Sequence, residues 1–597
     1  MTGSKKFGIL ILDVVVLIWK HTDRNEEKIM EKALKIKLIV GTILVCALIT
    51  VCAIFFIEKY TPSETMRTLD NYYDVAPEEA VVLLENEIYS KHALLRDGGI
   101  YLPFTMVLEL LNKDFYLDEA EQLLSYALPE ELIRTEAGQA FYYKNEEKCS
   151  LKQPALLYLE GQYFLSLEFI AQFSNMTYVF YENPNRVVIH HQWIDFLYYD
   201  TVAEETPIRF EPDIKSDILR NVPAGEKLYY IGGTGAGSRS FIKVMTQDGI
   251  YGYVQKKFLG ESYYDALQST YVEPEYTYNS QEEKIRLGWH VVTVQKANDN
   301  LEEMVERAAE MNVISPTWYR LADTKGGICS LADADYVARA HGMGLQVWAL
   351  IDNFDPEVST HDILASSSAR EALIDNMMAE AELIGFDGWN IDFETLSSKT
   401  GPHFIQFLKE LSIRCKRAGL VLSVDNYVPA PYNKFYDLET QGKVVDYVII
   451  MAYDEHYAGS PVAGSVASIG FLKEAVNSTL AKMPRERIVM AIPFYARLWA
   501  EDEVDGEVKV SSEALSMNGA AETLKKRNIT AKWDAATGQN YAEYMEDGIT
   551  YKIWLEDVDS LNERLMVISG ADVAGVAAWR LGFETDGTWT IIKNYID

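Results

Sequence analysis

At about 150 residues per domain, a chain of 597 residues is too long for one core and holds roughly three to five. Charged residues at 24% and apolar ones at 48% are ordinary for a folded protein, but the formal net charge is -34. Eight basic and five acidic side chains fall in residues 1–37, which leaves 47 basic against 84 acidic beyond them. A surface of that sign repels phosphate backbones and excludes nucleic acid as a partner.

The first apolar run, FGILILDVVVLIW at 7–19, is too short to span a bilayer and is broken by Asp13. From Met30 the sequence MEKALKIKLIV reads as a basic start leading into a helix, so residues 1–29 are expected to be a misassigned extension of a short cytoplasmic segment, 1–37. Residues 38–57, LIVGTILVCALITVCAIFFI, carry no charge. Twenty helical residues cover roughly 30 Å, the thickness of a bilayer's hydrocarbon core, so this is a predicted transmembrane helix. Lys28, Lys32, Lys35 and Lys37 precede it and Glu58 follows. The positive-inside rule then places the remaining domains outside the cell. No small-residue cleavage site precedes Thr61, and the helix is expected to stay as a single-pass membrane anchor. Cys46 and Cys52 lie in this run, while Cys149, Cys329 and Cys415 are scattered, which is neither a disulfide framework nor a metal-ligand pattern. An exported chain without paired cysteines fits a Gram-positive or anaerobic cell surface. The nine histidines show no ligand spacing either, so no metal and no cofactor are expected.

Between 76 and 195 the chain repeats itself loosely: GIYLPFTMVLELLNKDFYLDE (99–119) and GQYFLSLEFIAQFSNMTYVFYEN (161–183) each run glycine, strand, apolar helix, aromatic strand. With YENPNRVVI (181–189) as a closing strand pair, this α+β segment is similar to copper amine oxidase N-terminal-like domains, which implies a spacer or wall-contacting stalk. Residues 206–260 alternate in short strands with turns at GGTGAGS and QDG. They resemble a bacterial SH3-type barrel, most specifically in DGIYGYV at 248–254, and that resemblance implies wall binding or spacing. A tyrosine-rich, acidic linker is expected at 261–283.

From 284 to 597 strands and helices alternate. RLGWHVV, NVISPTWY, LQVWALIDNF, FDGWNIDFE, LVLSVDNYV, VDYVIIMAYD, RIVMAIPFYA and AGVAAWRLG give eight apolar strands, the pattern of a (β/α)8 TIM barrel. A doubly wound sheet would carry a glycine-rich turn after its first strand, and HVVTVQKAND offers none. The long connection at 500–570 predicts a small insertion between the last two strands.

One strand does not look like its neighbours. FDGWNIDFE carries Asp387, Asn390, Asp392 and Glu394 where a buried parallel strand is normally Val, Ile and Leu. With period two, Asn390, Asp392 and Glu394 face the barrel axis and climb toward its catalytic mouth, while Trp389, Ile391 and Phe393 pack outward. Carboxylates two residues apart lie roughly 6 to 7 Å apart at Cα. Each then raises the other's proton affinity, leaving the outer one protonated to act as a general acid. The motif resembles the D-x-x-D-x-D-x-E strand of glycoside hydrolase family 18, and IMAYDEHY (450–457) and VAAWRLGFE (576–584) are similar to that family's sixth and eighth strands. The branch with N-I-D-F-E and W-R-L-G endings includes spore-cortex and cell-wall N-acetylglucosaminidases.

The resemblance implies a retaining, substrate-assisted hydrolysis of N-acetylglucosamine glycan, in which no second protein nucleophile is needed. Glu394 would be the acid. Asp392 would orient the substrate's acetamido group, Tyr453 would hydrogen-bond its carbonyl, and Trp579 would stack under the sugar. Asp387, Asn390, Asp454, Asn426, Tyr495 and Arg497 are further candidates for substrate contacts. Asn390 stands where the family usually has an acid, and an amide donor there is expected to serve Asp392. Peptidoglycan is the expected substrate. A non-catalytic glycan-binding barrel and a chitinase acting on exogenous polymer remain open alternatives.

Overall fold

The computed structural model describes residues 27–85, 87–202, 205–231, 240–504 and 506–596. The apolar run 7–19, most of the expected extension 1–29 and the GGTGAGS turn lie outside the described residues. The chain divides into two compact units, residues 1–92 with 177–269, and residues 93–176 with 270–597.

The first unit contains the helix Glu27–Tyr60, whose segment Leu34–Tyr60 is apolar enough to cross a membrane, with a mean hydropathy of 2.9 and none of its most apolar window buried in the protein. Strand Glu79–Leu84 runs parallel to Arg186–His190, which pairs antiparallel with Thr177–Tyr181. A separate seven-stranded antiparallel sheet spans Asp195–Thr201 to Leu259–Ala266. Its last strand pairs with its first, so the sheet extends past both expected edges and takes in the first residues of the expected linker.

In the second unit, residues 93–176 hold the first glycine-initiated repeat and the strand and helix of the second, whose closing strand Thr177–Tyr181 belongs to the first unit: strand Gly99–Pro103 pairs antiparallel with Gln162–Ser166, and each runs into a short helix. Between them a five-stranded antiparallel sheet, Phe115–Asp118 through Glu147–Ser150, lies against the barrel. Asp118 and Glu121 accept the backbone N–H groups of Ser367 and Ser368 at 2.7 and 3.0 Å, where they cap the start of helix Ser367–Ile384. That terminus carries unpaired N–H groups and a partial positive charge, so two carboxylates from another segment suit it. Behind it Arg370, with no exposed surface, pairs with Glu410 at 3.1 Å and donates to Tyr116 Oη at 3.1 Å.

The rest of this unit is the barrel. Its strands are β1 (Ile285–His290), β2 (Val313–Leu321), β3 (Gln346–Asp352), β4 (Gly388–Asp392), β5 (Val421–Tyr427), β6 (Tyr447–Met451), β7 (Ile488–Pro493) and β8 (Gly575–Trp579). Each is parallel to the next, and β8 pairs with β1 to close the ring. The expected insertion lies between β7 and β8 as a five-stranded antiparallel sheet with helix Met517–Lys526.

Alternation along the strands divides the core into two layers. Trp389, Ile391 and Phe393 point outward and join Phe404, Phe407 and Leu411 of helix Gly401–Ala418. Leu287, Trp289, Leu350, Val421 and Ile449 point inward and plug the barrel's interior. Helix Ser367–Ile384 stops at Gly385, whose φ of +81° a side chain would disfavour, and the chain turns directly into β4.

Candidate active site

Above the apolar plug, the inward positions of β4 turn polar, and the switch begins at Asn390. Its Oδ1 accepts from Trp289 Nε1 at 2.9 Å and from Ser315 Oγ at 3.1 Å, while its Nδ2 donates to Ser423 Oγ at 3.1 Å and Asp425 Oδ1 at 2.8 Å. The amide is thus fully satisfied inside the barrel. The expected bond from Asn390 to Asp392 is not the one formed. Residues 390 and 392 both point inward two positions apart on one strand, whereas the inward side chains of the neighbouring strand β5, Ser423 and Asp425, stand within reach of the amide.

Asp392, next up the strand, lines a cavity of about 200 Å³ with Glu394, Asp425, Tyr453 and Trp579. Its Oδ1 has no hydrogen-bond partner among the described residues. Burial, then the charges of Asp425, Glu394 and Asp352, push its proton affinity well above the ordinary carboxylate range. Asp425 is raised as well, by burial foremost, with the Asn390 hydrogen bond opposing.

Glu394 sits just past the end of β4, where Asn353 grips its backbone on both sides: Glu394 N donates to Asn353 Oδ1 at 2.9 Å, and Asn353 Nδ2 donates to Glu394 O at 3.0 Å. Its Oε2 accepts the Tyr427 hydroxyl at 2.5 Å. Burial raises its pKa, the Tyr427 hydrogen bond opposes, and Asp454 and Asp352 add to the rise. The expectation that Asp392 is what keeps Glu394 protonated is therefore corrected. Desolvation is the main cause, and of the two acids Asp392 is the more strongly shifted.

Tyr453 is partly buried and packs against Tyr495, ring centroids 6.4 Å apart, and Trp579 lies 5.9 Å from Trp289 at 59°. Asp454 turns into the cavity because its backbone is left-handed, φ +58°, and it accepts the Tyr495 hydroxyl there. The cavity thus assembles carboxyl groups whose proton affinity burial raises, one carboxyl oxygen without a partner among the described residues, phenolic donors and two indole faces. That set can protonate a leaving oxygen, receive an amide N–H and pack against a sugar ring.

Three of the sequence candidates lie elsewhere. Asp387 is at the opposite, N-terminal end of β4, where its Oδ2 accepts from Val347 N at 2.7 Å and His341 Nε2 at 2.8 Å, tying β3 to β4. Asn426 points outward and exchanges hydrogen bonds with Gln441, at 2.7 and 3.2 Å. Arg497 lies in the insertion's first strand and donates to Ser512 Oγ at 3.0 Å. Conversely, Trp289, Phe354, Asp425, Tyr427 and Met451 line the cavity without having been singled out. The signal for two of them was present: period two applied to β5 puts Asp425 and Tyr427 inward and Asn426 outward.

Parts of the chain match known protein families. Residues 341–584 match the family described as Glycosyl hydrolases family 18. That match takes in six of the barrel's eight strands, β3 to β8. Residues 83–190 match the Copper amine oxidase N-terminal domain, and 204–260 the Bacterial SH3 domain. Over 249 residues the chain is 31% identical to YdhD of Bacillus subtilis (strain 168), whose name describes a sporulation-specific glycosylase, with 40% of this chain and 57% of that protein covered. It is 25% identical over 247 residues to the cortical fragment-lytic enzyme of Bacillus anthracis, covering 40% of this chain and 56% of the other. The spore cortex-lytic enzyme SleL of Bacillus cereus superposes with a TM-score of 0.48 and 20% identity, over 56% of this chain and 78% of its own. The chain thus spans little more than half the length of these first two relatives.

Proposed function

We propose that the protein is a membrane-anchored glycoside hydrolase of the cell surface that cleaves β-1,4 bonds of N-acetylglucosamine-containing glycan, with peptidoglycan as its substrate. The observation that carries this reading is the meeting of Glu394, Asp392, Tyr453 and Trp579 in one cavity at the C-terminal end of the barrel strands. Glu394 protonates the glycosidic oxygen. The substrate's own acetamido oxygen attacks the anomeric carbon, with Asp392 accepting the acetamido N–H and Tyr453 steadying its carbonyl. Glu394, now a carboxylate, then takes a proton from the water that opens the cyclic intermediate, so the anomeric configuration is retained. The apolar helix ending at Tyr60 supports an anchored location, and the cell-wall names of the relatives support peptidoglycan over exogenous chitin.

The test is digestion of purified peptidoglycan and of chitin oligomers by the full chain and by Glu394→Gln, with new reducing ends read by mass spectrometry. N-acetylglucosamine ends released from wall material by the native chain and lost in the variant are the expected result. Equal glycan binding by both proteins with turnover by neither would replace the hydrolase by a glycan-binding barrel.

A further inference from the structure

In the family strand the acid below the catalytic pair stands on β4 itself, and here that position is Asn390. We propose that Asp425, on the neighbouring strand β5, takes over the missing acid's role and shares a single proton with Asp392. This inference rests on the hydrolase reading for its catalytic meaning, but its structural claim stands apart from it.

The register places the two side by side. Strands β4 and β5 pair from Gly388↔Val421 through Ile391↔Val424, so the next step sets Asp392 beside Asp425. Adjacent strands lie roughly 4.8 Å apart, whereas two steps along one strand cover roughly 6.6 Å, so Asp425 comes nearer to Asp392 than an acid at 390 would. Both point inward, both line the cavity, and both are buried, at 7% and 3% exposure. Two carboxylates so placed cannot both ionise at low cost.

Asn390 decides which of them carries the charge. Its Nδ2 donates to Asp425 Oδ1 at 2.8 Å, which favours the ionised form of Asp425, while Asp392 Oδ1 has no such donor among the described residues. In the empty site the proton therefore resides on Asp392. When a substrate amide N–H donates to Asp392, that carboxyl's O–H bond breaks and an O–H bond forms on Asp425. The pair keeps one proton and one negative charge throughout, and the charge moves to the oxygen facing the developing positive charge on the acetamido group. The other titratable groups facing the pair are Glu394 above it, Asp352 at the end of β3, and Tyr453.

The experiment compares the full chain with Asp425→Asn, Asn390→Asp and the double variant, all in detergent. Asp425→Asn removes the carboxylate that shares the proton with Asp392, so the acid limb of the kcat profile on an N-acetylglucosamine oligomer, where the singly protonated pair takes up a second proton, moves to higher pH and the plateau falls by about 100-fold. KM changes little, because the oligomer is held mainly by the indole faces. The double variant restores a carboxylate beside Asp392 and brings back both the plateau and the acid limb. A single variant with an unmoved profile, or a double variant no better than Asp425→Asn, overturns the proposal.

A second measurement needs no turnover. Infrared spectra of chain labelled with ¹³C-aspartate report a protonated carboxyl at pH 7 in the native protein and in the double variant, and its loss in Asp425→Asn. Native protein without that band overturns the proposal. A shared proton in a chain that hydrolyses no glycan would sink the hydrolase reading and leave this one standing.

Discussion

Replacing Tyr427 by Phe isolates one hydrogen bond at the acid. The Tyr427 hydroxyl donates to Glu394 Oε2 at 2.5 Å in a partly buried setting, and this donor opposes the rise that burial causes in the Glu394 pKa. A hydrogen bond to a charged group contributes about 1.5–3 kcal/mol, and about 1.4 kcal/mol is tenfold in an equilibrium constant, so its loss raises the proton affinity of Glu394 roughly 10- to 100-fold. The donor favours the carboxylate and its removal favours the acid. The alkaline limb of the kcat profile, where Glu394 loses its proton, therefore moves to higher pH. The plateau falls at the same time, because a more basic carboxylate gives up its proton to the leaving oxygen less readily. Reducing ends released from an N-acetylglucosamine oligomer between pH 4 and 10 give the profile, and a thermal melt checks that the fold is kept. An alkaline limb that stays in place or moves to lower pH would refute the assignment of Tyr427 as the group that sets this acid.

Three further outcomes follow from the same geometry. Asp392→Asn is expected to abolish turnover yet raise the melting temperature at pH 8 and leave it nearly unchanged at pH 4. A carboxyl whose folded pKa lies above its unfolded one stabilises the fold at low pH and loses that advantage as pH rises. Arg370→Ala takes from Glu410, exposed by only 2%, its buried cation and leaves it Arg134 at 3.5 Å and the Gln406 amide at 2.8 Å, and chemical denaturation is expected to show a loss of about 1–3 kcal/mol. Asp387→Asn is expected to leave kcat and KM at native values while lowering the melting temperature, because its carboxylate joins β3 to β4 far from the cavity.

The barrel was legible because its strands are apolar runs separated by helices, and all eight fall where the sequence places them. Strand β4 was legible for the opposite reason: Asn390, Asp392 and Glu394 break the apolar pattern at one period. Two misreadings, Asn426 and Asp387, share one physical cause. Asn426 was picked for standing at a strand end, although parity with Val421 sends it outward to Gln441 and sends Asp425 and Tyr427 inward. Asp387 has the outward parity of Trp389 and sits at the wrong end of its strand. Asp454 reaches the cavity against simple alternation through a left-handed residue just past β6, a turn that residue types alone do not announce. The parity of β5 made the inward aim of Asp425 legible, but its place beside Asp392 comes from the pairing of β4 with β5, and register is a property of the folded sheet.

The sheet between Phe115 and Ser150 gives the catalytic unit a boundary that no single cut can reproduce. A fragment starting at residue 270 would strip Asp118 and Glu121 from the helix they cap and uncover Arg370. The compact unit is discontinuous in the chain, residues 93–176 together with 270–597, with ninety-odd residues of the other unit threaded between them. A graft cut at sequence-domain borders would therefore carry the chemistry and leave its support behind.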